Sequence, residues 1–320
     1  MANHSAAVQA HPPPASSGAG RPTLAAAWAA LLLYFGVQLA SRLLVSDAVE
    51  LDEAQQLVWT QQLSLGYGTQ PPLYSWLQWA AFQLFGVSLF ALALLKNLLL
   101  AATYVFTFLA ARLALPQRPA LLAAASMLLL PQLGWEAQRD LTHSVLVTAM
   151  AAATLWLALR LVLRAPAQRR AADYAWLGVA LAAGSLGKYS FVFFAAALGG
   201  ALLLGRDTRG ALLDRRLMLT LLAAALLCAP HALWLASHFG DASAGSIGKM
   251  EVAGSGLQSR AAAAWKGLAS LLRAVLAFLT PLWIVLGLLL VGVGSGSGGD
   301  ADAAPSAAVI TAAGPAPSAA

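Results

Sequence analysis

The residues best suited to chemistry lie between Ser46 and Gln83. Asp52 and Glu53 are neighbours there, and Asp47 precedes Glu50 at the spacing of a helix capping box. This spacing predicts a helix that begins beside Asp47 and carries Asp52 and Glu53 in its first turns. Because neighbouring helical side chains point about 100° apart, one carboxylate can take a proton from a hydroxyl while the other holds a cation or a sugar hydroxyl. Capping of an exposed loop helix is the alternative interpretation.

A glycine-rich turn followed by two prolines, residues 66–72, leads into a second segment of this stretch. Proline favours the first position of a helix, so we expect a helix after Pro72. Tyr74, Trp76 and Trp79 are typical of an amphipathic helix that lies at the membrane boundary. The two segments together predict one folded loop on the membrane surface, although the aromatic residues taken alone indicate interfacial anchors.

Two further polar sites are expected at the same membrane boundary. Residues 136–143 contain Arg139, Asp140 and His143, and Lys188 lies farther along the chain between two short apolar runs. Carboxylates beside Lys or Arg suit a reaction on a lipid-linked anionic substrate, since cations stabilise a phosphate leaving group while carboxylates bind a hydroxyl or a metal. The alternative for each residue alone is snorkelling or a loop ion pair.

Lys96 and Asn97 fall inside an apolar run. A charged residue at that depth costs free energy unless it faces the bundle. Either these residues belong to a buried polar site, or the run begins later than its hydropathy indicates.

The elements that position these residues follow from composition. Of the 320 residues, 60% are hydrophobic and 10% are charged, against roughly 25% charged in soluble domains. We therefore predict an all-α fold, a polytopic transmembrane helical bundle of about eight spans whose external first loop carries short amphipathic helices. This excludes most cytosolic enzyme folds, and the net charge of +6 is interpreted as orienting the chain in the membrane, not as binding nucleic acid. The predicted spans are 24–45, 89–113, 120–135, 141–163, 174–187, 189–205, 217–235 and 268–291, of which the fifth and sixth form either two spans or one hairpin.

The basic residues predict the orientation. If the spans alternate, most Lys and Arg residues fall on one side, which should be the cytoplasm, whereas the acidic first loop lies outside. Residues 1–21 are predicted to be a disordered cytoplasmic leader, residues 22–291 the transmembrane catalytic unit, and residues 292–320 a disordered low-complexity tail.

Four sequence segments together resemble glycosyltransferase family 39, which includes protein O-mannosyltransferases and the lipid A aminoarabinose transferase. They are residues 51–55 (LDEAQ), residues 70–76 (QPPLYSW), Asp140 before a span, and residues 186–189 (LGKY). The resemblance implies a GT-C membrane fold in which the external first loop holds the active site and the sugar donor is a polyprenyl-phosphate monosaccharide. Relatives carry Glu-Lys before the two prolines, where this chain has Thr69-Gln70, so Lys188 or Arg139 would have to contact the donor phosphate.

The resemblance places the family's two acidic residues at Asp52 and Asp140 and its Pro-Pro-Leu-Tyr segment at residues 71–74, and the polar patterns described above supply the other predicted site residues. Asp52, Glu53 and Asp140 would be catalytic, and Asp52 with Asp140 would hold a divalent cation, Mg²⁺ or Mn²⁺. The residues that would bind the donor are Gln70, Tyr74, Arg139, His143 and Lys188.

The expected activity is sugar transfer from the lipid-linked donor to a lipid, glycan or protein acceptor at the external face of a bacterial inner membrane. No nucleic acid partner is expected. Family members usually continue through further spans, so the chain is interpreted as a short or truncated member. Two alternatives stay open, namely a transporter or flippase of lipid-linked sugars and an inactive truncated remnant.

Overall fold

A computed structural model describes residues 24–240, 242–243 and 257–296. Regular structure in this part of the chain is helical apart from one antiparallel bridge between Tyr67 and Gln70. The predicted all-α fold class is confirmed. Contacts among the described residues divide them into two units, one made of residues 24–128 and 132–243 and the other of residues 129–131 and 257–296.

Thirteen α-helices are described here in chain order. The first seven are α1 (Leu24–Val45), α2 (Leu51–Trp59), α3 (Leu73–Phe85), α4 (Leu89–Arg112), α5 (Gln117–Ala125), α6 (Ala137–Arg139) and α7 (His143–Val162). The others are α8 (Ala171–Gly187), α9 (Phe191–Leu204), α10 (Arg209–Leu212), α11 (Leu217–Ser237), α12 (Leu257–Phe278) and α13 (Thr280–Gly296). A 3-10 turn (Ser126–Leu129) continues α5, a π-helix (Gln132–Glu136) precedes α6, and a second 3-10 turn (Pro166–Gln168) precedes α8.

The first unit is built around α4, α7, α8 and α11. Helix α4 packs on α7, α7 on α8, and α8 on α11, while α1, α3 and α5 also contact α4. Buried side chains of α7, α8 and α10 form the largest apolar cluster, which contains Ala153, Leu157, Leu161, Tyr174, Leu177, Ala180 and Ala211. This packing fixes α7 as the central helix on which both ends of the unit are assembled.

The unit has two chemically different ends. At one end, α2, α6 and the first turn of α7 meet. This end holds Asp52, Glu53 and Asp140, and we call it the acidic end. The arginine end lies at the last turn of α7, where Arg160 and Arg164 pair with a carboxylate of α8. Helix α7 has 20 residues, so the two ends are separated by about 30 Å.

Several described helices are long and apolar enough to cross a membrane, as the predicted bundle requires. By length and composition five described helices qualify, and the bent pair 117–129 and 132–139, which turns by 75°, would make six. The predicted third span, 120–135, is therefore broken, and Pro131 lies at the bend. A proline inside a helix removes a backbone hydrogen bond and crowds the preceding turn, so it bends or ends the helix; α11, in contrast, continues through Pro230. Helices α8 and α9 have 17 and 14 residues and lie in the region predicted as the short fifth and sixth spans.

The predicted eighth span, 268–291, is wrong as a single helix. Helix α12 begins earlier, at Leu257, and ends at Phe278, and α13 starts at Thr280. Pro281 occupies the first turn of α13, a position where proline is tolerated. A hydropathy average over such a segment does not detect this break.

The predicted ends of the chain are only partly described. Helix α13 continues to Gly296, beyond the predicted boundary at residue 291. The predicted leader, residues 1–21, and the remainder of the predicted tail lie outside the described residues.

Close approach of α8 and α11 yields a first testable prediction. A Cβ atom on Gly178 would overlap the carbonyl oxygen of Thr220 and lie 2.9 Å from the Cβ of Ala223. Because backbone atoms cannot move aside, we expect Gly178→Ala to destabilise the protein by about 1–3 kcal/mol, measured as the free energy of unfolding in mixed micelles. The control is Gly199→Ala in α9, where no atom lies within 4 Å and alanine should be neutral or slightly stabilising. Equal stability of the two variants would contradict the prediction.

Candidate active site

Asp52 and Asp140, which are 88 positions apart, meet at the acidic end. The backbone N–H of Asp52 donates to Oδ1 of Asp140 over 3.3 Å. The hydroxyl of Thr142 donates to Oδ2 of Asp52 over 3.2 Å. Both carboxylates are half-buried, so each is held in place and still reaches solvent. The structure thus brings together the two acidic residues that were predicted to act as a pair.

The start of α2 places Asp52, but not where the capping pattern predicted. Helix α2 begins at Leu51, and the N–H of Glu50 donates to Oε2 of Glu53 over 3.3 Å. The predicted start beside Asp47 is wrong. The guanidinium of Arg42 binds the carbonyl oxygens of Ser46 and Ala48, each over 2.7 Å. These bonds hold the preceding loop out of helical conformation, so the helix starts after Glu50.

Glu53 is the centre of a buried ion network. Its side chain is 1% exposed, with Oε1 2.9 Å from Nζ of Lys96 and Oε2 2.8 Å from Nη2 of Arg42. Lys96 also donates to the carbonyl oxygen of Arg139 over 3.3 Å. The network therefore joins α1, α2, α4 and α6 at the acidic end.

The ionisation of Glu53 follows from this network. Burial alone would raise its pKa, but the charge of Lys96 and the hydrogen bonds from Arg42 and Lys96 lower the pKa overall. Glu53 thus remains a carboxylate whose oxygens are already occupied. This geometry suits positioning of α2 more than transfer of a proton.

Lys96 and Asn97 belong to this polar site. Lys96 is 2% exposed and lies in the second turn of α4, and the Oδ1 of Asn97 accepts from Nε2 of Gln138 over 3.3 Å. Of the two interpretations left open by the sequence, the structure supports the buried polar site. The ion pair with Glu53 compensates for the cost of burying the ammonium group.

Tyr74 and His143 are buried side chains close to Asp52. The ring centroids of Tyr74 and His143 are 5.3 Å apart, and Trp59 meets His143 edge-on at 6.0 Å. Nδ1 of His143 lies 3.2 Å from the hydroxyl of Thr142, which in turn binds Asp52. Burial, together with the charges of Glu53 and Asp52, raises the pKa of Tyr74, so its hydroxyl stays protonated.

The predicted donor-binding residues Lys188, Arg139 and Gln70 lie in different surroundings. Lys188 donates to the hydroxyl of Ser144 over 3.0 Å, which brings it beside His143 in the first turn of α7. The side chain of Arg139 is 58% exposed and lies 3.9 Å from Glu50. Gln70 sits in a turn in which its N–H donates to the carbonyl of Tyr67 over 3.2 Å, and no side-chain hydrogen bond of Gln70 is found among the described residues. The structure therefore brings Lys188 and His143 together but leaves Gln70 apart.

Residues of the first loop form an open pocket that includes Trp59. A cavity of about 350 Å³ is lined by Trp59, Gln62, Ser64 and Tyr67, among others. Trp59, which lines this cavity, also contacts His143. The acidic end thus offers both a polar pair and an adjacent opening of the size that a small ligand needs.

Comparison with known proteins identifies the family. The model of the dolichyl-phosphate-mannose-protein mannosyltransferase family matches residues 69–234, just over half of the chain. The chain belongs to this family. The resemblance seen in the sequence is thereby confirmed, and the matched range contains Asp140, the proline-started helix α3 and Lys188.

Two curated relatives of this mannosyltransferase-family chain come from Rhizobium johnstonii. The lipopolysaccharide core galacturonosyltransferase RgtB is 38% identical over 253 residues, and RgtA is 35% identical over 259 residues. The alignments cover 78% and 80% of this chain but 50% of each relative. The chain therefore spans about half the length of the curated relatives it matches.

A solved structure shares the fold of this family member. The crystal structure of ArnT from Cupriavidus metallidurans, bound to undecaprenyl phosphate, matches with a TM-score of 0.50 at 16% identity. The match covers 68% of this chain and 42% of ArnT. At this identity the match supports the predicted GT-C fold.

Three residues of the candidate site were not predicted. Arg42, Thr142 and Ser144 bind Glu53, Asp52 and Lys188 respectively. A signal for Arg42 exists in the sequence, because it is a lone cation where the first span meets the acidic loop, on the side opposite most arginines. Thr142 and Ser144 carry no such signal, since hydroxyl residues are common where a helix begins.

A divalent cation needs carboxylate or other oxygen ligands from the protein. No group of three or more His, Cys, Asp or Glu side chains that could hold a metal occurs among the residues that the structure describes. Two neighbouring carboxylates, Asp52 and Asp140, are present, and Mg²⁺ is commonly held by one or two carboxylates together with water and substrate phosphate. Asp52 and Asp140 are therefore the residues that would hold such a cation together with its substrate.

Proposed function

We propose that the chain is a membrane glycosyltransferase that moves a sugar from a polyprenyl-phosphate donor to an acceptor at the external face of a bacterial inner membrane. The observation that carries the proposal is the contact between Asp52 and Asp140, reinforced by Thr142, at the acidic end. Membership of the mannosyltransferase family and the fold shared with ArnT support it.

The proposed reaction is a direct inverting displacement. An acceptor hydroxyl forms a bond to the anomeric carbon as the bond from that carbon to the phosphate oxygen breaks, and the polyprenyl phosphate leaves with the electron pair. Asp52 accepts the hydroxyl proton, since Oδ2 is oriented by Thr142 and reaches solvent. Asp140 orients the acceptor or a cation, and Glu53 holds α2 in register through Lys96 and Arg42.

Charge on the departing phosphate needs compensation. Lys188 is held beside His143 through Ser144, and the exposed guanidinium of Arg139 can turn from Glu50 to the phosphate. Tyr74 and Gln70 complete the proposed donor contacts, with Gln70 requiring movement of its turn. A divalent cation held by Asp52 and Asp140 would supply further Lewis-acid stabilisation of the phosphate oxygens.

The names of the relatives suggest the partners. RgtB and RgtA are named for transfer to the lipopolysaccharide core, and ArnT was crystallised with undecaprenyl phosphate. We propose an undecaprenyl-phosphate-linked sugar as donor and a lipopolysaccharide core glycan as acceptor.

A transfer assay tests this function. Proteoliposomes containing the 320-residue chain receive undecaprenyl phosphate carrying a radiolabelled uronic acid, together with lipopolysaccharide core acceptor. We expect the label to appear covalently on the acceptor, at a rate that scales with protein and is absent from empty vesicles. Label that crosses the membrane without a covalent product would instead support a transporter of lipid-linked sugars. Label that neither crosses nor reacts would contradict both functions.

A further inference from the structure

A second cavity lies at the arginine end. Its volume is about 470 Å³, and α4, α7 and α8 surround it. Aromatic rings provide much of its wall: Trp156 stacks on Phe106 with centroids 5.7 Å apart, and Trp176 is 62% exposed beside them. Such an apolar space next to the ends of long apolar helices suits a hydrocarbon chain better than a polar metabolite.

The mouth of this cavity carries excess positive charge. Asp173 is 4% exposed and binds Arg160 and Arg164, each over 2.7 Å. The guanidinium of Arg160 also lies 4.9 Å above the ring centre of Trp156, which holds it at the cavity wall. One carboxylate balances only one of these two cations.

Arg170 adds a further charge. It lines the cavity and is exposed, and it makes no ion pair or side-chain hydrogen bond among the residues that the structure describes. Arginine readily forms paired hydrogen bonds with phosphate oxygens. The cavity therefore combines an apolar interior with a free guanidinium at its rim.

We propose that this cavity binds one acidic phospholipid, with the lipid phosphate at Arg160 and Arg170 and an acyl chain against Phe106, Trp156 and Trp176. The charges select the headgroup: a zwitterionic lipid would bring its ammonium group towards the arginines, whereas phosphatidylglycerol brings only negative charge. Basic pockets between membrane helices bind anionic headgroups in this way. The site is separate from the acidic end, so it does not depend on the proposed transfer reaction.

Native mass spectrometry of the purified chain in detergent tests the headgroup. Phosphatidylglycerol and phosphatidylcholine with identical acyl chains are added at equal concentration. We expect one retained phosphatidylglycerol per chain, at least about fivefold more occupied than phosphatidylcholine. Arg170→Gln should reduce that preference at least threefold. The matched control is Arg206→Gln, another exposed arginine of this end that does not line the cavity, and it should retain the preference.

A fluorescence measurement tests the acyl chain. Phosphatidylglycerol with brominated acyl chains should quench tryptophan emission of the parent protein in detergent, and Trp176→Phe should remove much of that quenching. Trp135→Phe, which removes a tryptophan of similar exposure (63%) outside the cavity, should leave the quenching intact. Equal retention of the two lipids, equal loss in the two arginine variants, or full displacement of the lipid by inorganic phosphate would each overturn the proposal.

Discussion

Replacing Asp52 by asparagine is expected to lower the rate of sugar transfer by at least about 100-fold. Positioned general bases contribute roughly 10²–10⁴ in rate, and asparagine cannot accept the proton of the acceptor hydroxyl. The substitution keeps the shape of the side chain, the backbone N–H to Asp140 and an oxygen that can accept from Thr142. The fold should therefore survive, and the loss should appear in kcat more than in KM in the proteoliposome assay.

The matched control is Asp47→Asn. Asp47 belongs to the same acidic loop and is exposed, with no side-chain hydrogen bond among the described residues, so this variant should transfer sugar at the parent rate. Both variants remove one negative charge near the membrane. A difference in transfer rate between them therefore reports the chemistry of Asp52 and not a change in the general electrostatic attraction of the substrate. If Asp52→Asn and Asp47→Asn transferred sugar equally fast, Asp52 would not be the base.

The acidic pair illustrates what sequence can predict. Asp52 and Asp140 each lie in a short recognisable segment. The sequence therefore predicted both as site residues, although 88 positions separate them. Lys96 was ambiguous for a physical reason. A buried lysine is tolerated only with a partner, and its partner, Glu53, is 43 positions away, so no local pattern could connect them.

Breaks in helices were the harder part of the fold. Average hydropathy is the same whether an apolar segment is one helix or two, which is why residues 268–291 were predicted as a single span. The prolines at 131 and 281 lie at these interruptions, and the first interruption matters for the site, since the segment after Pro131 leads to Arg139 and Asp140. Proline alone does not locate such breaks, because α11 continues through Pro230.

Removing Lys96 is expected to have the largest effect on stability. Lys96→Met leaves the 1% exposed carboxylate of Glu53 with Arg42 as its remaining charged partner. Breaking a buried ion pair by removing one partner costs about 3–5 kcal/mol. The free energy of unfolding, measured in mixed micelles of mild detergent and dodecyl sulfate, should fall by that amount. Lys266→Met is the control, because Lys266 is exposed and its loss should change stability by less than about 0.5 kcal/mol.

The double variant Lys96→Met with Glu53→Gln separates the ion pair from simple packing. Without a buried carboxylate to compensate, the loss of the ammonium group should cost far less, so the double variant should be more stable than Lys96→Met alone. Arg42 is 18% exposed and still binds the carbonyls of Ser46 and Ala48, so it tolerates the neutral glutamine. Costs that simply add in the double variant would show that Glu53 and Lys96 act independently, and the network would then not be what holds α2 and Asp52 in place.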